Sequence, residues 1–128
     1  METSEKRALT TTANIIGLII MTTPRNIRCK HIALLLNIAQ HPGLTLSELH
    51  DGLPRYSLGA IAKLIHELTH ESWRKDDKDH EGIRRLPGFG LVRLQADPRD
   101  HRIKRVYLSD KGKKLIDDLI HLHLENSL

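Results

Sequence analysis

Residues 94–112, "LQADPRDHRIKRVYLSDKG", place five Lys/Arg, His101 and three Asp in nineteen positions. Asp97-Pro98-Arg99-Asp100 reads as a turn: Pro98 presets its own backbone angle, and an Asp side chain in a turn bonds the amides that follow it. On either side, "LVRLQ" (91–95) and "IKRVYL" (103–108) carry the Val, Ile and Tyr that suit strands. Alternation sets Val106 and Leu108 on one face, and Asp100 is spaced to pair with Arg102 and hold the hairpin straight. The stretch therefore predicts a stiff, basic β-hairpin with Arg99 at its tip.

Charge in the rest of the chain isolates this hairpin. The whole protein carries +4, yet residues 91–114 hold eight Lys/Arg against three Asp/Glu, a local +5, so the other residues sum to −1. A basic patch of this kind is the electrostatic footprint of a polyanion partner. With 128 residues, 39% hydrophobic and 28% charged, the chain reads as one domain able to bury a core. One Trp, one Phe and two Tyr are too few for an aromatic platform that stacks unpaired bases. The single cysteine, Cys29, excludes an internal disulfide and a cysteine-based zinc site and fits a reducing compartment. It reads as a buried structural thiol, with a redox sensor as the alternative. The apolar run "NIIGLIIM" (14–21) falls well short of the roughly 20 residues that span a bilayer, and no signal peptide is apparent. A cytoplasmic protein is expected.

Outward from the hairpin, Ser109 caps a final helix, with Asp110 at its positive end. Leu115, Leu119 and Leu122 form one apolar column of that helix, and Ile116, Ile120 and Leu124 an adjacent one. At the other terminus, 5–21 has a helical stripe of Leu9, Ala13, Ile16, Ile19 and Ile20. Both helices offer more apolar surface than one small domain covers, so 5–21 and 113–125 are expected to pair with a second copy as dimerisation helices. Thr23-Pro24 reads as N-cap and first residue of a helix over 24–40, with Ile27, Ile32, Leu35, Leu36 and Ile38 inward and "HPG" (41–43) as the stop. Then "LTLSELHDGLP" (44–54) predicts a short helix capped by Thr45 or Ser47. Ser57 caps a longer one to about His70, with Leu58, Ile61, Leu64, Ile65 and Leu68 inward. Two helices joined by a short turn over 44–70 are the outline of a helix-turn-helix. Residues 71–90, "ESWRKDDKDHEGIRRLPGFG", break the helical period and read as an inserted loop with at most a short strand near 83–86.

The order of elements is that of a winged helix-turn-helix, mainly α with a small two-stranded β-wing at 91–108. The run "GLVRLQADPRDHRIKRVYLSDKGKKLIDDL" (90–119) resembles the wing and following helix of the MarR family of bacterial transcriptional regulators. Members read G-L-[VI]-x-R, then D-x-x-D-x-R, then a strand ending L-[ST]-x-x-G. "HIALLLNIAQHPGLTLSELHDGL" (31–53) and "GAIAKLIHEL" (59–68) resemble the family's second and third helices and its recognition helix. This chain departs from the pattern in having 71–90 between recognition helix and wing, and Leu94 where the family has Arg. The resemblance implies a MarR-like winged-helix fold, dimerising through its terminal helices, and a cytoplasmic homodimer that regulates transcription by binding double-stranded DNA.

Candidate DNA-binding residues follow from the helix geometry. A recognition helix enters a major groove near its N-terminus and presents three or four side chains to base edges. The outward positions are Arg55 and Tyr56 in the turn, then Ser57, Gly59, Ala60 and Lys63. Gly59 and Ala60 are small enough for close approach, Arg55 and Lys63 can reach phosphate or guanine, and Ser57 can bond either phosphate or a base. In the wing, Arg99 suits a narrow minor groove, with Arg102, Lys104 and Arg105 along the phosphates. An alternative use of the module is protein interaction or single-strand, replication-related binding, with 71–90, carrying Trp73 and Phe89, as a possible protein-partner surface. His66 and His70 at i, i+4, with His80 among Asp76, Asp77 and Asp79, have the types of a divalent-metal site, but the spacing is common by chance and no bound metal or other cofactor is expected. His121 and His123 read as solvated or interfacial. No glycine-rich phosphate loop, G-x-S-x-G or paired-carboxylate cleft signature is present, so the chain is not expected to be an enzyme.

Overall fold

The computed structural model describes residues 3–23, 27–69, 71–75 and 83–127. In chain order these form α1 (Thr3–Thr22), α2 (Cys29–Gln40), β1 (Leu44–Thr45), α3 (Leu46–Gly52), α4 (Leu58–Leu68), β2 (Glu71–Lys75), β3 (Ile83–Pro87), β4 (Val92–Ala96), β5 (Lys104–Leu108) and α5 (Asp110–Ser127). The architecture is the expected one, mainly helical with a β-wing. The wing hairpin β4–β5 is antiparallel, with Val92 opposite Leu108 and Ala96 opposite Lys104. It gains a third strand that was not expected, because Leu44 and Thr45 of β1 pair with Val106 and Arg105.

Local chemistry accounts for most boundaries. Thr45 and Glu48 form a reciprocal capping box at α3: the Glu48 amide donates to Thr45 Oγ1 at 3.3 Å, and the Thr45 amide donates to Glu48 Oε1 at 3.0 Å. Ser57 Oγ caps α4 by accepting the Ala60 amide at 3.1 Å. Ser109 Oγ caps α5 through the Gly112 amide at 3.0 Å, while its hydroxyl donates to Gly90 O at 2.6 Å. The stop after α2 is completed by Gly43, whose φ of +88° is open to glycine at little cost.

Four expectations need correction. First, α2 begins at Cys29 and not at 24: its N-cap is Arg28, whose amide donates to His31 Nδ1 at 3.0 Å. Thr23 instead closes α1, its amide and hydroxyl both donating to Ile19 O; Pro24 lies outside the described residues. Second, 71–90 is not an extended loop: the short strand expected near 83–86 is present as β3, and β2, which was not expected, pairs with it in register from Glu71↔Pro87 to Lys75↔Ile83. Third, Leu36 and Leu58 are exposed, and the inward face of α2 is His31, Leu34, Leu35 and Ile38. Fourth, Cys29 is exposed and not buried.

The core is one cluster. Leu34 and Ile38 of α2, Leu49 of α3, Ile61 and Leu68 of α4, Leu91 and Val106 are almost completely buried around it, each contributing on the order of 1.5–3 kcal/mol by leaving water. His31 is buried with them, its ring edge-on to Phe89 at 4.9 Å between centroids. Burial holds its pKa below the ordinary imidazole value, against the opposing pull of Glu67, 3.6 Å from Nε2. α1 packs against α5 and covers one side through Ile19, Ile15 and Leu18. Leu9, Ile16, Ile20 and Met21 of α1 and Ile120 and Leu124 of α5 stay exposed.

Gly112 is where α5 crosses the start of the wing: a Cβ there would lie 2.0 Å from Leu91 O. Gly112→Ala is expected to lower unfolding free energy by about 1–3 kcal/mol through forced displacement. Gly17→Ala in α1, where a Cβ meets nothing within 4 Å, is expected to raise it by roughly 0.5–1 kcal/mol. Urea unfolding of the two variants checks both signs.

Candidate nucleic-acid interface

The expected recognition helix α4 is seated by Ile61, Leu64, Ile65 and Leu68, all buried. Its last carbonyls are then taken up by the chain leading into the wing: the amides of Phe89, Gly90 and Leu91 donate to Glu67 O, Thr69 O and Leu68 O at 2.9, 2.9 and 2.8 Å. Helix end and wing start are thereby held together. Facing outward, Arg55, Ser57, Gly59 and Lys63 are exposed and Ala60 is half-buried. The Ser57 oxygen is committed to the cap, which leaves its hydroxyl proton to donate. Tyr56 is half-buried against the core, with Lys30 Nζ 5.5 Å from its ring centroid, so its ring is part of the turn's packing.

The wing tip is stiffened as its residue types predicted. Asp97 Oδ1 accepts the Arg99 amide at 2.8 Å, the Asp97 amide donates to Ile103 O at 2.8 Å, and the Ile103 amide donates to Asp100 O at 3.0 Å. The Asp100 carboxylate takes Arg102 Nε and Nη2, both at 3.1 Å, and the Arg102 amide at 3.1 Å. Even so, the Arg102 side chain stays 91% exposed. Arg99 and Lys104 are exposed, and among the described residues no ion pair holds either.

Arg105 has a different position from its neighbours. Its Nε donates to Asp97 Oδ2 at 2.8 Å and its Nη1 to Gly43 O at 2.8 Å, with Glu48 Oε1 3.9 Å away. The guanidinium ties wing tip, sheet and the head of α3 together. Arg93, which sequence reasoning passed over, is exposed on β4 with its guanidinium 4.6 Å above the Tyr107 ring and Nη1 donating to Gln95 at 2.9 Å. The strand alternation that set Val92 inward carried the signal for it. Bonds from the Arg99 amide and then Arg105 hold the Asp97 carboxyl below the usual carboxylate range, and the Asp100 carboxyl is held down by Arg102. His66 is exposed on α4; the other residues of the candidate metal set, His70, Asp76, Asp77, Asp79 and His80, lie outside the described residues. His121 pairs with Glu125 at 3.0 Å on the exposed side of α5.

Two helices, α3 and α4, joined by a short turn and followed by a braced cationic hairpin are a winged helix-turn-helix. Solved structures agree. The chain is similar to a MarR transcriptional regulator from Methanosarcina mazei Go1, at 24% identity and TM-score 0.57, over 96% of this chain and 73% of that one. It is similar to MarR itself at 18% identity and TM-score 0.55, over 93% and 72% of the two chains. It also resembles Streptococcus pneumoniae FabT, solved in complex with DNA, at 18% identity and TM-score 0.56, over 95% and 77%. No protein-family model and no curated protein matches the sequence. The likeness is one of fold: the MarR-type winged helix. Among the described residues no helix is long and apolar enough to cross a membrane.

Because the folded-state pKa of Asp97 is depressed, the stability its ionised form provides is complete above the ordinary carboxylate pKa and is lost as pH falls through the lowered value. The Arg105–Asp97 brace is therefore expected to persist through the pH range in which free aspartate protonates, read from the Asp97 carboxyl carbon by NMR titration. Arg105→Lys, which cannot make both bonds at once, is expected to lower stability by a small amount, because the guanidinium is partly exposed to water. Urea unfolding measures it.

Proposed function

We propose that this protein is a sequence-specific, double-stranded-DNA-binding transcriptional regulator of MarR-like type that acts as a homodimer and is not an enzyme. The observation that carries the reading is the set of exposed cations at Arg55, Lys63, Arg99, Arg102 and Lys104 on a braced helix-and-wing frame, in a chain whose remaining charge nearly cancels. Such a frame suits a duplex: α4 enters the major groove, Arg99 meets the adjacent minor groove, and Arg102 and Lys104 run along phosphates. Ser57, Gly59 and Ala60 allow the helix to approach closely. Tyr56 shapes the turn from below, and Arg105 acts by bracing the wing rather than as a free phosphate contact. The fold neighbour solved with DNA supports the same use.

Dimerisation rests on the apolar side chains left exposed on α1 and α5, which a second copy would cover. Half-sites then lie about 34–36 Å apart if successive major grooves are used. A second reading, binding of a protein partner or of single strands, draws on hairpin β2–β3, which adjoins the end of α4.

Selection from a random duplex pool is expected to return a palindromic site. Arg99→Ala should weaken binding to it by about 1–3 kcal/mol; unchanged affinity would remove the wing from the interface. Lys63→Ala should weaken binding too, and change sequence preference if the lysine reads bases. Affinity for duplex should fall steeply with salt, whereas preference for single strands at two salt concentrations would favour the second reading. Sedimentation equilibrium is expected to give a dimer, and Ile16→Asp with Ile20→Asp a monomer with reduced affinity for the palindrome.

A further inference from the structure

We propose that Leu58 reads the 5-methyl group of thymine in the major groove, an inference that rests on the DNA-binding reading above. α4, "LGAIAKLIHEL", contains none of the Arg, Asn or Gln side chains that make bidentate bonds to guanine or adenine edges. Its polar residues are Lys63, His66 and Glu67, of which His66 and Glu67 lie in the last turn, away from the end that enters a groove. At the leading end, the Ser57 oxygen is engaged by the Ala60 amide. That leaves the Ser57 hydroxyl proton and the side chain of Leu58 as the leading groups of the helix. Leu58 is 44% exposed, whereas the four inward residues of the same helix are 0–8% exposed.

The helical period puts Leu58 on the column of Ile61 and Ile65, but it precedes them by one and two turns and so projects beyond the core they fill. An exposed leucine is ordinary on a protein surface; the position of this one sets it apart. Next to it, Gly59 offers only backbone: a Cβ built there would find nothing nearer than Ser57 Oγ at 4.0 Å. Ala62, one turn on, is small and half-buried. The leading surface is thus one branched apolar knob on a flat ground, with Lys63 as the nearest helical charge. In the major groove the four base pairs present donors, acceptors and a single kind of apolar group, the thymine methyl. Nothing else there gains by covering a leucine. Readout by this helix is then chiefly apolar, with Lys63 positioning on phosphate or guanine.

The test uses the full chain and the duplex recovered by selection, made with thymidine or with deoxyuridine, which lacks only the methyl and keeps every hydrogen-bonding edge. Wild-type protein is expected to bind the deoxyuridine duplex about fourfold more weakly for each methyl covered. Leu58→Ala, at an exposed site, should keep the wild-type circular dichroism and melting temperature. It should bind the thymidine duplex more weakly and discriminate less between the two. Its salt slope should be that of wild type, since no charge is removed. Equal wild-type affinity for both duplexes, with a steep salt slope, would overturn methyl readout and leave DNA binding intact. Undiminished discrimination by the variant would overturn the role of Leu58. Failure of wild type to bind any duplex would overturn this inference and the reading beneath it together.

Discussion

At the end of α4, carbonyls of Glu67, Leu68 and Thr69 accept the amides of Phe89, Leu91 and Gly90. A helix leaves its last carbonyls without internal partners, and here the returning chain supplies them. Everything between, residues 71–87, leaves and comes back at one place, because Glu71 pairs with Pro87 at the foot of the β2–β3 hairpin. Close approach is obligatory: a Cβ on Gly88 would lie 1.9 Å from Thr69 O. The angle between helix and wing is therefore independent of how long the inserted hairpin is. The chain departs from the MarR pattern at this point and still has the MarR-type winged-helix fold.

The same economy governs the charges of 94–112. Two carboxylates hold the wing, by different means. Asp97 is 7% exposed and bonds backbone and Arg105, so it acts as a fixed anchor. Asp100 is half-exposed and holds Arg102 by its own carboxylate, leaving that guanidinium open on its outer side. Arg105 is drawn inward toward Gly43 and Glu48, while Arg99 and Lys104 face water. One run of sequence thus divides into side chains that build the wing and side chains that the wing presents. Charge counting merges the two groups, because arginines occur in both; only the third strand, with Gly43 beside Val106, separates them.

That distinction explains what was legible in the sequence. The wing, its turn, the caps Thr45, Ser57 and Ser109, and the seats Ile61, Leu64, Ile65 and Leu68 were readable, because each depends on residues within a few positions of one another. What depends on contacts distant in sequence was not. Leu58 and Leu36 have the helical period of core residues, yet 44% and 41% of their surface stays exposed. His31 has a polar side chain, yet it is buried because Phe89 and Glu67 close over it and the Arg28 amide occupies its Nδ1. Hairpin β2–β3 escaped because its apolar and charged residues do not alternate cleanly. Its pairing shows in register and not in composition. Thr23-Pro24 has the residue types of a helix start, but α1 runs to Thr22 and takes Thr23 as its closing residue.

The exposed apolar faces of α1 and α5 bear on how such an interface gains affinity. On the proposed reading a single subunit brings a handful of exposed cations to a duplex, among them Arg55, Lys63, Arg99, Arg102 and Lys104, and one leading apolar contact. A set that small discriminates weakly, since each base pair read contributes only on the order of 1–3 kcal/mol. Joining two copies doubles the phosphate contacts and makes the second half-site an intramolecular event, so affinity rises without any new residue type. The terminal helices are the elements available for that joining. Their apolar side chains Leu9, Ile16, Ile20, Ile120 and Leu124 are exposed in the single chain. On the proposed reading, the weakness of one wing and the exposed apolar faces of the terminal helices would have the same remedy, a second subunit.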